Sequence, residues 1–411
     1  MELFESLHAQ ISALPAIDCH EHTFLPEARP RRVDLWTVMQ NSDVGDDLIS
    51  AGMPVSDRAS LDWNRAASYL PLVRNTGFYR SLILAFQCLF DFPETELRPD
   101  NWEPLSEKIA AANTRTDWYP AVLHQHGNVR LILRVQGEEP DPFAVDRRYF
   151  APLINFDAWI RAGEPHQREQ VAAKAGGRAR TLGEYLAAMD LAFEQARARS
   201  AVGIKSMLAY RRPLNYARPA RAEIEPLFDR RILTEPETQA VEDFLMHEVA
   251  ERAGLFQFPY QIHVGYGSWQ SNITAGANPL LLNPLIESHR HTQFVLLHGG
   301  YPFIGEMATL AKNHPNVFIE AGWLAYIAPA AYRRAVGEWL DSVPMNKILA
   351  FGADCLHIEQ TLGALILTYR LLTQALSDKI TESGWSESLA LECATRLLSR
   401  NALELYRLPN G

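Results

Sequence analysis

The sequence predicts an α/β architecture, a (β/α)8 TIM-like barrel with a helical insertion after its first strand. Two observations carry this. Eight short β-rich runs recur along the chain, most of them near-continuous apolar, as strands covered on both faces by helices require. Helix-like stretches separate most of them, and eight such alternations suit a closed barrel better than an open, doubly wound sheet. At 411 residues the chain is long enough for one large barrel or two average domains. We read a single barrel domain over residues 1–411, with the insertion within roughly 24–128.

The first run is "AIDCHEH", Ala16–His22. The long interval that follows contains "VDLWTVMQ", "GFYRSLILAFQCLFDF" and "PLSEKIAAANT". An interval of that length needs structure of its own, so a lid over the barrel mouth or a subunit contact is expected. The second and third runs are Val129–Val135 and Tyr149–Asn155. "TLGEYLAAMDLAFEQARARS" leads into the fourth, Ala201–Leu208. "EPETQAVEDFLMHEVAERAG" leads into the fifth, Tyr260–Gly267, with acids early and Gly254 as the expected stop. The sixth run, Thr292–Gly300, reaches the seventh, Asn316–Gly322, through "FIGEMATLAKNHP". Lys347–Asp354 is the eighth, and "SESLALECATRLLSRNALELYRLPNG" reads as a closing helix and its cap.

Composition narrows the function. Hydrophobic residues make up 47%, enough for a sizeable core. The net charge of −10, from 49 acids against 39 bases, argues against nucleic acid or an anionic membrane as partner. The start, "MELFESLHAQISALP", lacks the basic leader and apolar core of a signal peptide. No apolar run reaches the ~20 residues that a membrane helix needs. Four cysteines without CxxC spacing argue against a thiolate zinc site and a disulfide framework. The expectation is a soluble, cytoplasmic protein acting on a small molecule, with a homo-oligomer compatible with it.

Six residues stand late in separate runs or at their ends: His20 and His22 in the first, Lys205 in the fourth, His263 in the fifth, His298 in the sixth and Asp354 in the eighth. Carboxyl ends of barrel strands surround the active site, so these six are expected to converge. Side chains at i and i+2 of a strand share a face, which lets His20 and His22 grip one ion. Zinc suits imidazole and carboxylate ligands and keeps a position open for water in catalytic sites. Manganese, iron or cobalt suit them too. Asp354 is then placed to take the water's proton and return it to a leaving group.

The HxH spacing alone says little, because the chain carries two more. His124/His126 and His289/His291 each precede an apolar run, hence lie near the opposite end of the barrel, and are expected to be surface histidines. His314 is rejected on the same ground, while His357, after Asp354, stays a candidate substrate contact. Taken singly, His263 reads as a core histidine and Asp354 as a helix cap. Their joint placement favours a metal site. Tyr210, Arg211 and Arg212 follow the fourth run, where an arginine could clamp a carboxylate. Trp269 and Trp323 are candidate apolar walls, and Cys19 and Cys355 are read as packing.

At "IDCHEH", "VGIKSMLAYRR", "YQIHVGYG", "LLHGGYPFIGEMATLAKNHPNVFIEAGW", "ILAFGAD" and "RNALELY" the chain resembles the amidohydrolase superfamily. More narrowly, it resembles the amidohydrolase-related metal-dependent hydrolases, including the domain fused to glutamine synthetase-like proteins. The resemblance implies a barrel of the metal-dependent hydrolase type holding one or two divalent ions, often zinc. It implies His20, His22, His263 and Asp354 as ligands, and His298 as a second-metal ligand or a hydrogen-bonding catalytic residue. It implies Lys205 as a carboxylated bridge between two metals, although a free ammonium cannot ligate a cation and Lys205 could instead bind a substrate carboxylate. The implied reaction is hydrolysis of a C–N (amide-like) or ester bond in a small, carboxylate-bearing molecule. Decarboxylation and uronate isomerisation occur in the same superfamily and remain alternatives, because fold does not fix function. A non-catalytic barrel is the remaining, disfavoured reading.

Overall fold

A computed structural model describes residues 2–136, 141–161, 165–228, 230, 232–268 and 274–409. Eight parallel strands follow in the order β1 to β8 and form a nearly closed barrel with helices around it. They are β1 (Ala16–Glu21), β2 (Val129–Gln136), β3 (Phe150–Asn155), β4 (Gly203–Ser206), β5 (Tyr260–Ile262), β6 (Phe294–Leu296), β7 (Val317–Glu320) and β8 (Ile348–Leu349). Each coincides with one of the eight apolar runs. Every residue of β1, β4, β5, β6 and β8 is buried, so these strands show no alternation of buried and exposed positions, and the polar residues in them, Asp18, His20, Glu21, Lys205, Ser206 and Gln261, are buried with the rest. Apart from β2, which runs one residue past its run, the strands are shorter than their runs: β8 keeps two residues, so Asp354 and Cys355 stand on a loop and strand alternation does not apply to them. The chain divides into two compact units: Met1–Arg134 with Ser268–Gln270 and Glu320–Ala402, and Val135–Gly267 with Ser271–Ile319 and Leu403–Gly411.

In the first unit β1 pairs with β2 from Ala16↔Val129 to Glu21↔Arg134, with irregularities on either side of Ile17–Asp18. The interval between these strands is helical, with Leu35–Gln40, Val44–Ser50, Gly77–Phe90 and Trp102–Ala112 its main helices. The long helix Ile358–Ser383 packs on Gly77–Phe90. Gly363 permits their close crossing, since a Cβ there would lie 2.2 Å from the Ser81 carbonyl oxygen. His357 caps the long helix: its ring bonds the Gln360 backbone N–H, and Gln360 bonds back to the His357 N–H at 3.0 Å. Its Nε2 meets the Asn41 amide at 3.1 Å, and burial pushes its pKa down to about 4. His357 is therefore a buried cap, and the capping position of this helix falls to it and not to Asp354.

The second unit holds β3 to β6 and most of β7, paired in register from Leu153↔Gly203 to Leu296↔Ile319. Helix Glu235–Phe256 starts at a capping box between Thr234 and Glu237 and stops at Gln257, which is left-handed (φ 60°). The helix thus runs two residues past Gly254, the expected stop. That glycine serves packing, because a Cβ would lie 2.8 Å from Thr292 Oγ1, which donates to the Ala250 carbonyl.

His289 corrects the surface reading given to its HxH pair: His291 is exposed, but His289 is buried. His289 Nδ1 donates to Glu251 Oε2 (3.1 Å), and its Nε2 accepts from His247 Nδ1 (2.8 Å). Burial lowers both histidines, His247 to about 4. A histidine depressed in the fold adds stability that is complete above its unfolded value near 6.5 and is lost as pH falls toward 4. Urea unfolding at pH 7.5 and 5.0 should show wild type losing on the order of 2 kcal/mol more than His247→Gln over that interval. Equal losses would exclude the pair as the cause. Among the described residues, no helix is long and apolar enough to cross a membrane.

Candidate active site

The first unit brings His20, His22 and Asp354 together. His20 Nε2 lies 3.5 Å and His22 Nε2 3.6 Å from Asp354 Oδ1. The candidate ligand atoms all fall within 4.8 Å of one another, and among the described residues this is the group of three or more that could hold a metal ion. Two imidazoles and one carboxylate fit a divalent cation, since tetrahedral ligands at zinc distances sit about 3.3 Å apart. The strand period explains the first two: His20 and His22 share a face of β1 and its continuation. Asp354 arrives from the loop after β8, its backbone N–H bonded to the His20 carbonyl (3.0 Å).

Backbone conformation marks the same residue. Six non-glycine residues have positive φ among the described residues: Asp91, Ser200, Gln257, His298, Asp354 and Arg407. Asp91, Ser200, Gln257 and Arg407 stand at or just past the ends of helices, where a left-handed residue is ordinary. Asp354 (φ 51°) and His298 (φ 63°) end no helix. Such conformations persist where surrounding structure over-determines them, which is common at functional sites.

Acids surround this cluster. Asp18 Oδ1 accepts from the N–H groups of His20 and Ala353, both at 3.2 Å. Glu21 accepts from the N–H groups of His22 (2.8 Å) and Cys355 and from Thr361 Oγ1 (2.8 Å). Burial raises the Glu21 carboxyl to about 8 against the pull of those three donors, and raises Asp18 as well, with Glu21 adding to it. Asp43, from the helical interval, accepts from Trp323 Nε1 at 3.3 Å. Loss of hydration and then the Asp354 charge raise its carboxyl to about 8. Trp323 is thus a buried, hydrogen-bonded partner of an acid. Sequence reading missed Asp18, Glu21 and Asp43. The first two had a signal: a carboxylate within an apolar strand must find donors or pay heavily for burial. Asp43 had none. Cys19 and Cys355 are buried packing residues, as expected, with Cys355 Sγ 3.3 Å from Tyr326 Oη.

The second unit brings together His263, His298 and Tyr210. The His263 ring centroid lies 4.5 Å from that of His298 and 4.5 Å from that of Tyr210. His263 Nε2 donates to the Tyr266 carbonyl at 2.9 Å, so a neutral His263 carries its lone pair on Nδ1. The loops after β5 and β6 interlock at Gly265 (φ 74°), where a Cβ would lie 2.4 Å from both the Gly300 carbonyl carbon and the Tyr301 oxygen. Gly265→Ala should therefore lower the thermal midpoint by several degrees and move the His263 and His298 ring resonances. An unchanged midpoint would show that the loops yield. Lys205 is fully buried in β4. Arg211 is exposed. Arg212 is committed to Glu242 (2.9 Å) and Asp243 beneath the Tyr216 ring and serves the fold rather than a substrate. Trp269 lies outside the described residues.

Residues 17–408 match the family model described as Amidohydrolase. The chain belongs to the amidohydrolase family. Protein FluG of Emericella nidulans is 27% identical over 223 residues, 50% of this chain and 26% of that protein, so the match takes in about a quarter of that relative. Two solved structures share this fold at low identity. Uronate isomerase from Thermotoga maritima is 14% identical with a TM-score of 0.82, covering 98% of this chain and 97% of that one. Glucuronate isomerase from Caulobacter crescentus is 18% identical with a TM-score of 0.80, covering 100% and 95%.

Proposed function

We propose that this amidohydrolase-family chain is a metal-dependent hydrolase that cleaves a C–N (amide-like) or ester bond in a small, carboxylate-bearing molecule. The observation that carries the reading is the meeting of His20, His22 and Asp354 around one point, two imidazole nitrogens within 3.6 Å of one carboxylate oxygen. A divalent cation, zinc by our reading, supplies Lewis acidity there: it polarises a substrate oxygen and makes a water acidic near neutral pH.

The protein's own groups do the rest. His20 and His22 hold the ion and fix its position. Asp354 shares in holding it, takes a proton at its carboxylate and returns it to the leaving group. We assign His263, His298 and Lys205 as further ligands or hydrogen-bonding groups. Lys205 takes a ligand's role only if deprotonated or carboxylated, which sets the count at one ion or two. Tyr210, Arg211 and Trp269 are proposed for substrate binding, with Arg211 as the group for a carboxylate.

The second reading is a lyase or isomerase reaction on the same residues. Among the solved structures that share this fold at full length, several are named isomerases of uronic acids and one a metal-dependent hydrolase, and the isomerases favour keeping the second reading. One experiment separates the two. Protein stripped by chelator and reloaded with zinc or manganese is assayed on a panel of N-acyl amino acids, carboxylate esters, uronic acids and hydroxybenzoates. Hydrolysis yields an amine or alcohol plus an acid, and we expect that product together with one or two tightly bound ions per chain. A ketose–aldose exchange or release of CO2, with no hydrolysis, would replace the first reading by the second. Less than about one ion per chain in protein never exposed to chelator would remove both.

A further inference from the structure

We propose that Glu21, seconded by Asp18, is a positioning residue of the cation site: its carboxylate sets the distance between the backbone that carries His22 and the backbone that carries Asp354. The inference rests on the metal-centre reading above and concerns a residue that is not itself a ligand.

Glu21 stands between the ligands in sequence, and its carboxylate is taken up by two peptide N–H groups and a hydroxyl. It is fully buried. Its Oε1 accepts from two peptide N–H groups far apart in the chain, those of His22 and Cys355. Its Oε2 is held by the Thr361 hydroxyl at 2.8 Å. Asp18 repeats the arrangement one step earlier, accepting from His20 and Ala353. The N–H groups of the residues on both sides of Asp354 are therefore pinned to carboxylates that also accept from the N–H groups of the two histidines. The remaining bond, Asp354 N–H to the His20 carbonyl, closes the frame.

This frame explains why Asp354 keeps a left-handed backbone without ending a helix. It also explains two acids buried in the strand. Their charged neighbours are other acids, Glu21 and Glu320 for Asp18, and Asp354 for Glu21. Burying such a pair costs stability, and apolar residues would fill the strand better. What an apolar residue cannot do is accept from two peptides at once and so hold one ligand loop to the other.

Two variants separate reach from charge. Glu21→Gln keeps an oxygen at the same reach for both peptides and loses the charge. Glu21→Asp keeps the charge and shortens the arm by one methylene. Metal-free protein is titrated with Co²⁺ against a chromophoric chelator, with the visible cobalt spectrum as a second readout. Glu21→Gln should bind within roughly threefold of wild type, and Glu21→Asp should lose 10- to 100-fold in affinity with an altered spectrum, the usual scale for contacts behind metal ligands. Thr361→Val, which frees Oε2 alone, should lose affinity by a smaller factor and keeps the test decisive if the Asp variant does not fold. Wild-type affinity in Glu21→Asp or in Thr361→Val overturns the proposal. So does a loss in Glu21→Gln as large as that in Glu21→Asp, since charge rather than reach would then matter. A purely structural role would lower the thermal midpoint of metal-free protein and leave the cobalt affinity of the folded fraction unchanged. Wild-type protein that takes up no cobalt would sink the metal-centre reading itself, and this inference with it.

Discussion

Asp354→Asn should cut turnover by about 10³-fold or more, and the metal-free variant should be at least as stable as wild type. The substitution is chosen for the backbone. Asp354 has φ 51°, and asparagine occupies that left-handed region as readily as aspartate, whereas alanine would add strain. The side chain keeps its shape but can no longer take up a proton as a carboxylate does, and it offers a cation a weaker, neutral oxygen. Stability should move the other way. The Asp354 charge contributes to the raised carboxyls of Asp43 and Glu21, so neutralising it relieves a repulsion among half-buried and buried acids. Thermal melts in chelator, metal content and steady-state rates on whichever substrate the panel yields would test this together. Full turnover after metal loading would remove Asp354 from the chemistry. A metal-free variant that melts well below wild type would show instead that the carboxylate holds the loop, and the lost rate would then say nothing about catalysis.

The barrel was legible because buried parallel strands leave a trace: β1, β4, β5 and β6 are buried throughout, and the runs around them are mostly apolar, with no regular exposed position. His20, His22 and Asp354 were legible because position relative to a strand end is readable even when the strand's exact length is not. The misplaced residues fail for one reason, that they depend on partners distant in sequence. His289 looked like a surface histidine because nothing near it announces His247, 42 residues earlier, as its hydrogen-bond partner. His357 looked available because Asn41 lies 316 residues away. Arg212 stood among the residues where an arginine could clamp a carboxylate, because nothing near it announces Glu242 and Asp243 on helix Glu235–Phe256 as its partners. Asp43 carries no motif at all. It matters only because the Trp323 indole, 280 residues later, donates to it. Ligands that follow a strand can be read one strand at a time, but a buried polar network cannot.

Glu359→Ala should cost on the order of 3–5 kcal/mol in stability, the largest effect we expect from a residue outside the ligand set. Glu359 is fully buried near the start of helix Ile358–Ser383. Its Oε1 accepts from Trp118 Nε1 at 2.6 Å, Asn113 Nδ2 at 3.1 Å and Arg29 Nη2 at 3.4 Å. All three donors belong to the interval between β1 and β2, so one carboxylate ties that interval to the long helix. Removing it strands a guanidinium and an indole N–H and takes one of two acceptors from the Asn113 amide, which keeps the Ile109 carbonyl at 2.9 Å, while the Arg29 guanidinium keeps, among the described residues, its stacking on the Tyr119 ring at 5.1 Å. Glu359→Gln keeps an acceptor and loses the charge opposite Arg29, so it should cost roughly 1–2 kcal/mol. Urea unfolding of metal-free protein would rank wild type, Gln and Ala in that order, and an Ala variant within ~0.5 kcal/mol of wild type would sink the assignment. The same interval carries Asn41 and Asp43, which bond to His357 and Trp323. Loosening its anchor should therefore raise KM more than it lowers kcat, the reverse of the pattern for Asp354→Asn. That contrast would support the proposed split between an interval that governs substrate binding and a carboxylate that handles the proton.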